Sequence, residues 1–205
     1  MRDYDGKTAA ERVAERRARL VDAGIELFGG HGYAGTSIRA VLRQAGLRDR
    51  YFGESFADLD ALLAAAYGQL IDEELAACRA AIGATTGPSE GARAMIDAIS
   101  HLLEDNPGHA RIKLREVFSG GPMVRKQRQE GLRKLSQLVA DLLPTADVVD
   151  DSDRLLVGLG VVAAADAYLL AWLDGELGVS RQGVVDLVTR LFDSVAAGIA
   201  ISPSR

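Results

Sequence analysis

Apolar residues recur along the chain at helical spacing, and stretches that alternate apolar and polar are few. Leu20, Gly24, Leu27 and Phe28 follow the i, i+4, i+7, i+8 pattern and predict a helix over about residues 11–29. "GGHGYAG" then stops it, because glycine ends helices and supplies turn conformations. Thr36 or Ser37 can cap a second helix whose one face carries Ile38, Val41, Leu42 and Ala45, and Gly46 breaks it. A short helix over 49–54 and a long one over about 58–82 follow. After the loop "GATTGPSEG", further helices are predicted over 90–104, 108–118, 123–143, 152–176 and 180–200. "DNPG", "SGGP", "LLPTADVVDDSD" and "DGELGVS" separate these. The expectation is an all-α protein without internal repeats.

Charge divides the chain in a way the helices do not. The net charge is −5 over 205 residues, yet residues 1–56 carry a balance of +2 and the remainder −7. Two parts with different electrostatic roles are implied. One cysteine, Cys78, excludes an intramolecular disulfide and fits a reducing cytoplasm. "MRDYDGKTAAERVAERRARL" does not read as a signal peptide. The most apolar run, residues 157–173, is short for a membrane span and carries Asp166 near its middle, so it reads as a buried helix of a soluble protein.

Within the positive part, "LRDRYFGESF" (47–56) gathers two arginines and three aromatics directly after an Ala-Gly pair. Three short helices with a tight turn between the second and third describe a helix-turn-helix, whose third element enters the DNA major groove. Arg48 and Arg50 suit phosphates or the O6 and N7 acceptors of guanine, and Tyr51 suits a phosphate or a thymine methyl. Phe52 and Phe56 are expected to point inward and anchor a helix too short to stand alone. The bland reading is a solvated arginine face. "RVAERRAR" (12–19), with four arginines and one glutamate, is a second basic run that reads as a solvated face or as a contact to backbone phosphates.

Residues of about 16–67 resemble the DNA-binding segment of the tetracycline-repressor (TetR) family of bacterial transcription regulators. The matching features are "LF" closing helix one, "GY" before "TS", the "AG" turn, and Phe56 followed by Leu62 and Leu63. The resemblance implies an all-helical fold: an N-terminal three-helix DNA-binding domain (11–57) followed by a larger ligand-binding and dimerisation domain (58–205). The family-type segment would cover about 16–76, with the helix-turn-helix at 37–55. It also implies Thr36, with Ser37 beside it, at the DNA backbone. Three positions depart from the family pattern. Arg48 stands where a capping serine or threonine is common, so Asp49 is expected to cap instead; Gly53 replaces a phosphate-contacting tyrosine; Leu59 replaces a lysine. Phosphate grip is then either weaker or supplied by Arg39, Arg43 and the N-terminal arginines. The DNA-contacting set expected is Thr36, Ser37, Arg39, Arg43, Arg48, Asp49, Arg50, Tyr51, Gly53 and Ser55.

Residues 83–205 carry no motif. "LLVGLGVVAAADAYLLAWL" is apolar around most of its circumference and "VVDLVTRLFDSVAAGIAI" has a broad apolar stripe. Pairing the two across a two-fold axis would bury both in a homodimer; core helices of a monomer are the bland alternative, and the dimer is preferred because a palindromic operator needs a symmetric reader. Met95, Ile99, His101, Leu102, Phe118, Met123, Tyr168 and Trp172 could line a pocket for a small-molecule effector, although each residue type is more often core. Asp166 could bind a ligand, with a structural ion pair the more usual role of such a carboxylate. No membrane partner, metal or cofactor is expected: His31, His101 and His109 have no metal-ligand spacing with one another or with Cys78. "GLGVVA" (158–163) formally fits G-x-G-x-x-A, but a dinucleotide site would need a strand before it. The reading is a non-enzymatic, ligand-responsive, DNA-binding regulator, most simply a repressor. The alternatives are a helical cofactor-dependent enzyme and a ligand carrier that binds no DNA.

Overall fold

A computed structural model describes residues 8–144 and 151–201, and among these residues there is no strand. The helices are α1 (Ala9–His31), α2 (Ile38–Ala45), α3 (Arg50–Ser55), α4 (Leu59–Gly83), α5 (Pro88–Asp105), α6 (Pro107–Leu114), α7 (Pro122–Leu142), α8 (Asp151–Leu173) and α9 (Arg181–Ile201), with one 3-10 turn at Glu116–Phe118. The expected helix over 108–118 thus ends at Leu114 and gives way to the 3-10 turn. Two compact units share the chain: Met1–Leu70 with Pro107–Arg128, and Ile71–Asn106 with Gln129–Arg205. The division falls inside α4 and inside α7.

In the first unit α1 starts on a capping box. The Thr8 hydroxyl accepts from the Glu11 backbone N–H at 3.2 Å, and the Glu11 carboxylate accepts from the Thr8 N–H at 2.6 Å. That bond and the Thr8 hydroxyl hold the Glu11 carboxyl below the usual range. The helix buries Leu20, Val21, Ala23, Gly24 and Phe28. It does not stop at Gly29 and Gly30, as "GGHGYAG" suggests, but runs through both and ends at Gly32, whose φ of +77° suits a residue without Cβ. Gly29 stays helical because it faces the backbone of α6. A Cβ there would stand 2.7 Å from the Gly108 Cα. The two helices therefore cross with backbone against backbone.

The second crosslink is made of hydrogen bonds, with one ion pair inside the later segment. Arg111 of α6 donates through Nη1 to the Gly30 carbonyl at 3.0 Å and through Nε to Glu116 at 2.8 Å. Glu116 in turn accepts from the Tyr33 N–H at 2.8 Å. The turn after α1 is thus held by a segment some eighty residues further along the chain. Asp60 of α4 accepts from the N–H groups of Gly121 and Met123 and so caps the start of α7, where a carboxylate also complements the helix dipole.

In the second unit α9 packs on α5 and α8. Arg181 at the start of α9 reaches Asp97 and Ser100 of α5, the latter at 3.2 Å, and lies 3.6 Å from Glu104. Arg93 and Asp186 form a second pair at 2.6 Å, which holds the Asp186 carboxyl below its ordinary range. Arg154 of α8 donates to the Ala140 and Leu143 carbonyls at 2.6 and 3.2 Å, satisfying the open end of α7.

The apolar run within α8 departs from expectation. The helix, Asp151–Leu173 where 152–176 is expected, is long and apolar enough by length and composition to cross a membrane. Little more than a quarter of its apolar window is buried inside the chain. Gly158, Val161, Val162 and Leu169 are buried, while Leu156, Leu159, Gly160, Ala163 and Ala167 are exposed. "GLGVVA" lies inside this helix with no strand before it, which removes the dinucleotide reading. Gly158 lets α8 approach α7 closely, since a Cβ would collide with the Ser136 carbonyl of α7.

The glycine contact gives a paired test. Gly29→Ala is expected to cost about 1–3 kcal/mol through overpacking against Gly108. Gly30→Ala, which meets open space, should stabilise α1 by about 0.5–1 kcal/mol. Urea unfolding monitored by circular dichroism measures both.

Candidate nucleic-acid interface

The turn between α2 and α3 is built on Gly46, whose φ of +63° and ψ of 39° are left-handed. The Gly46 N–H reaches back to Arg43 and Leu42, and Leu47 N–H donates to the Leu42 carbonyl at 2.9 Å. Val41, Leu42 and Ala45 of α2 and Phe52 of α3 are buried, and Phe56 closes the same small core with its ring centroid 5.9 Å from that of Phe52. Both phenylalanines point inward, as the pattern predicts. Ile38, expected on the inner face of α2, is instead exposed at 37%.

With those residues inward, the polar set is turned outward. Ser37, Arg39, Arg43, Arg48, Asp49, Arg50 and Gly53 are exposed, and Tyr51 and Ser55 are half-buried. Ser37 caps α2 by accepting from Ala40 N–H at 3.2 Å. Thr36 is different: it is buried, and its hydroxyl donates to the Gly32 carbonyl at 2.8 Å. Its side chain is engaged inside the unit, so only Ser37 of the pair presents a hydroxyl to solvent. Asp49 does not replace the missing cap. Its backbone is already right-handed helical (φ −49°, ψ −42°) and its carboxylate caps nothing. A capping side chain needs an extended backbone to fold back on the first turn. Around Gly53 there is open space.

The basic run 12–19 stitches α1 to α2 and α3. Arg19 donates to the Ala45 carbonyl at 2.5 Å, at the end of α2. The Arg17 guanidinium lies over the Phe56 ring at 4.5 Å, and Arg16 lies over Tyr51 at 4.5 Å while pairing with Glu54 at 3.1 Å. Three of the four arginines thus hold α2 and α3 in place, a role the sequence pattern did not suggest. Spacing within α1 could not reveal it, because their partners lie 26–39 residues away.

The effector candidates divide between the two units. Phe118 and Met123 belong to the first unit and are exposed at 65% and 52%, with Arg128 stacked on Phe118 at 4.5 Å. The others belong to the second unit. There Met95 and Ile99 are buried, His101 is exposed beside Asp97 at 3.4 Å, and Leu102, Asp166, Tyr168 and Trp172 are half-buried. An open groove of about 210 Å³ between α7 and α8 is lined by none of them, but by Gln129, Leu132, Arg133, Ser136, Leu155, Leu156 and Leu159. No group of three or more metal-ligating side chains occurs among the described residues.

An all-helical chain whose N-terminal unit presents α2, a glycine turn and α3 in this way matches solved regulators along most of its length. A TetR-family transcriptional regulator from Pectobacterium atrosepticum superposes with a TM-score of 0.67 at 22% identity, over 96% of this chain and all of that one. The transcriptional regulator FadR from Bacillus subtilis, crystallised with stearoyl-CoA, superposes with a TM-score of 0.71 at 15% identity, over 85% of this chain and 96% of that one. The chain has the TetR fold. Among curated sequences, the HTH-type transcriptional activator FasR of Mycolicibacterium smegmatis is 21% identical over 172 residues, 84% of this chain and 78% of that protein. No family model matches the chain. The structural matches extend the likeness beyond the N-terminal segment where the sequence resemblance lies, since they cover 85% and 96% of this chain.

The cap assignment is testable by unfolding. Ser37→Ala should lower stability by about 1 kcal/mol, the usual loss of a helix cap. Asp49→Ala should stay within about 0.5 kcal/mol of the native chain. A larger loss at Asp49 than at Ser37 would reverse the assignment.

Proposed function

We propose that the protein is a DNA-binding transcription regulator of the TetR type that reads a palindromic operator as a homodimer and responds to a small-molecule effector. The observation that carries this reading is the outward face of α2 and α3. Arg39, Arg43, Arg48 and Arg50 are exposed there with the hydroxyl of Ser37, while Val41, Leu42, Ala45 and Phe52 of the two helices are buried. Residues 11–57 form the DNA-binding domain in this reading. Residues 58–205 carry the effector and the dimer contact. Arg39 and Arg43 of α2 suit phosphates, and α3 suits base edges.

The dimer is supported by α8. Leu156, Leu159, Gly160, Ala163 and Ala167 repeat at three- and four-residue intervals along one exposed face. A continuous apolar stripe of this kind needs a cover, and small residues at its centre allow two helices to come close. A second copy provides that cover with the two-fold symmetry that a palindrome requires.

An effector would act by preferring one of two dimer geometries, and DNA opposes it through the same coupling energy. FadR of Bacillus subtilis was crystallised with stearoyl-CoA, which makes long-chain acyl thioesters the first effector class to test. Repression is the simplest output, although the relative FasR is named an activator.

Selection of bound fragments from sheared genomic DNA tests the reading directly. The expected result is an enriched, approximately palindromic duplex. Recovery of no preferred sequence would overturn the function. On that duplex, Arg39→Ala and Arg43→Ala should each make the fall of log affinity with log salt shallower by about 0.9, the value of one phosphate left unneutralised, and weaken all sequences alike. Sedimentation should give about twice the 21.8 kDa chain mass. Ala163→Arg should yield a folded monomer with unchanged helical circular dichroism and strongly reduced operator affinity.

A further inference from the structure

Arg16, Arg50, Tyr51 and Glu54 form a cluster in which the contacts that tie α1 to α3 also fix a polar ring at the protein surface. Tyr51 stands beside the inward Phe52 on a helix of six residues, at the edge between core and solvent. Two guanidiniums lie against its ring, Arg16 at 4.5 Å and Arg50 at 4.7 Å from the centroid. Arg50 also donates through Nη2 to the phenolic oxygen at 2.6 Å. Arg16 comes from α1, 35 residues earlier, and is itself fixed by Glu54 at 3.1 Å, three residues after Tyr51. Its side chain is only 22% exposed and its Nε is buried with no hydrogen-bond partner. A guanidinium placed in this way is poorly disposed to reach a phosphate.

We propose that Tyr51 is a specificity-determining residue of the recognition surface, that Tyr51 and Arg50 read one base pair as a joined pair of donors, and that Arg16 is the residue that positions the ring. The proposal rests on the DNA-binding reading and names the chemistry of its contact. Donor accounting supports it. Arg50 gives one N–H to the phenolic oxygen and keeps others for a ligand, while the phenol, having accepted, still has its own O–H to give. Two neighbouring donors of this kind match the O6 and N7 acceptors that guanine shows side by side in the major groove. The bond from Arg50, more than any other influence, draws the Tyr51 phenol below its usual range, which makes the O–H a better donor. Clamping the ring before DNA arrives also removes rotamer freedom that would otherwise be lost on binding. Gly53, with open space around it, offers no competing side chain on α3.

The test uses the full chain and the duplex recovered from genomic selection, with each base pair of the half-site varied in turn. Tyr51→Phe, which keeps the ring and deletes the donor, should lose about tenfold on the selected duplex and little on the duplex lacking guanine at one position. Arg16→Ala should relax preference at that same position while the salt slope stays unchanged. Arg16→Lys, which keeps a cation for the ring and for Glu54, should restore part of the preference. Equal losses on every sequence, or a reduced salt slope with preference intact, would make these residues phosphate contacts and overturn the proposal. A second readout needs no DNA. In NMR titrations of the Tyr51 phenol in the free protein, its ionisation should move to higher pH in Arg50→Ala and, by a smaller step, in Arg16→Ala. A phenol unmoved by either change would show that the cluster does not exist in solution. Failure of the native chain to select any duplex, with the titration behaving as expected, would instead sink the DNA-binding reading and leave the cluster standing. Thermal melts of each variant exclude unfolding as the cause.

Discussion

The N-terminal unit depends on two backbones meeting without side chains between them. Gly29 of α1 and Gly108 of α6 approach so closely that a methyl group at Gly29 would meet the facing Cα at 2.7 Å. From that crossing follows the reach of Arg111 to the Gly30 carbonyl and of Glu116 to the Tyr33 N–H. Those bonds satisfy the turn that follows α1 and set where Thr36, bonded back to Gly32, begins the approach to α2. The helix-turn-helix is therefore not supported by its own fifty residues alone. It is braced by a segment from the middle of the chain. That bracing matters locally, because α3, with six residues, has no stability of its own to position a side chain.

The arginines of α1 extend the same bracing. Each is a cation in a region of net positive charge, where mutual repulsion opposes close approach. Arg16, Arg17 and Arg19 avoid this by ending on an aromatic face, a carboxylate or the carbonyls at the end of α2. The stems pack and the heads are balanced by a ring face, a full negative charge or a carbonyl dipole. Arg39, Arg43 and Arg48 remain exposed. The positive part is thus divided into cations that hold the scaffold and cations that face outward, and only the second group is available to a polyanion.

The second unit has the opposite character. Its charges are used to dock helix on helix, through Arg181 onto α5, Arg93 onto α9 and Arg154 onto the end of α7. The apolar surface is not consumed to the same degree, since most of the apolar window of α8 faces away from its own chain. A helix apolar nearly all round is stable only with neighbours on several sides. Here α9 supplies one side and α5 and α7 others.

Local sequence was enough to settle the helices, the turn at Gly46 and the inward course of Phe52 and Phe56. Each follows from residues within a turn or two of one another: apolar spacing, a left-handed glycine, an aromatic repeat of four. The outward set on α2 and α3 was equally legible, because it is the complement of that apolar face. Whatever depends on distant partners emerged only in the folded chain. Gly29 and Gly30 read as a helix end, yet both remain helical, with α6 lying against Gly29. Thr36 and Ser37 look equivalent in sequence, but burial against the Gly32 carbonyl removes one from solvent. Asp49 is a good capping residue that does not cap, since its backbone is already helical. The roles of Arg16, Arg17 and Arg19 were invisible because cation–π contacts and carbonyl bonds across 26 residues or more leave no local pattern. Local energetics write themselves into spacing; a contact between remote segments exists only once the chain has closed on itself.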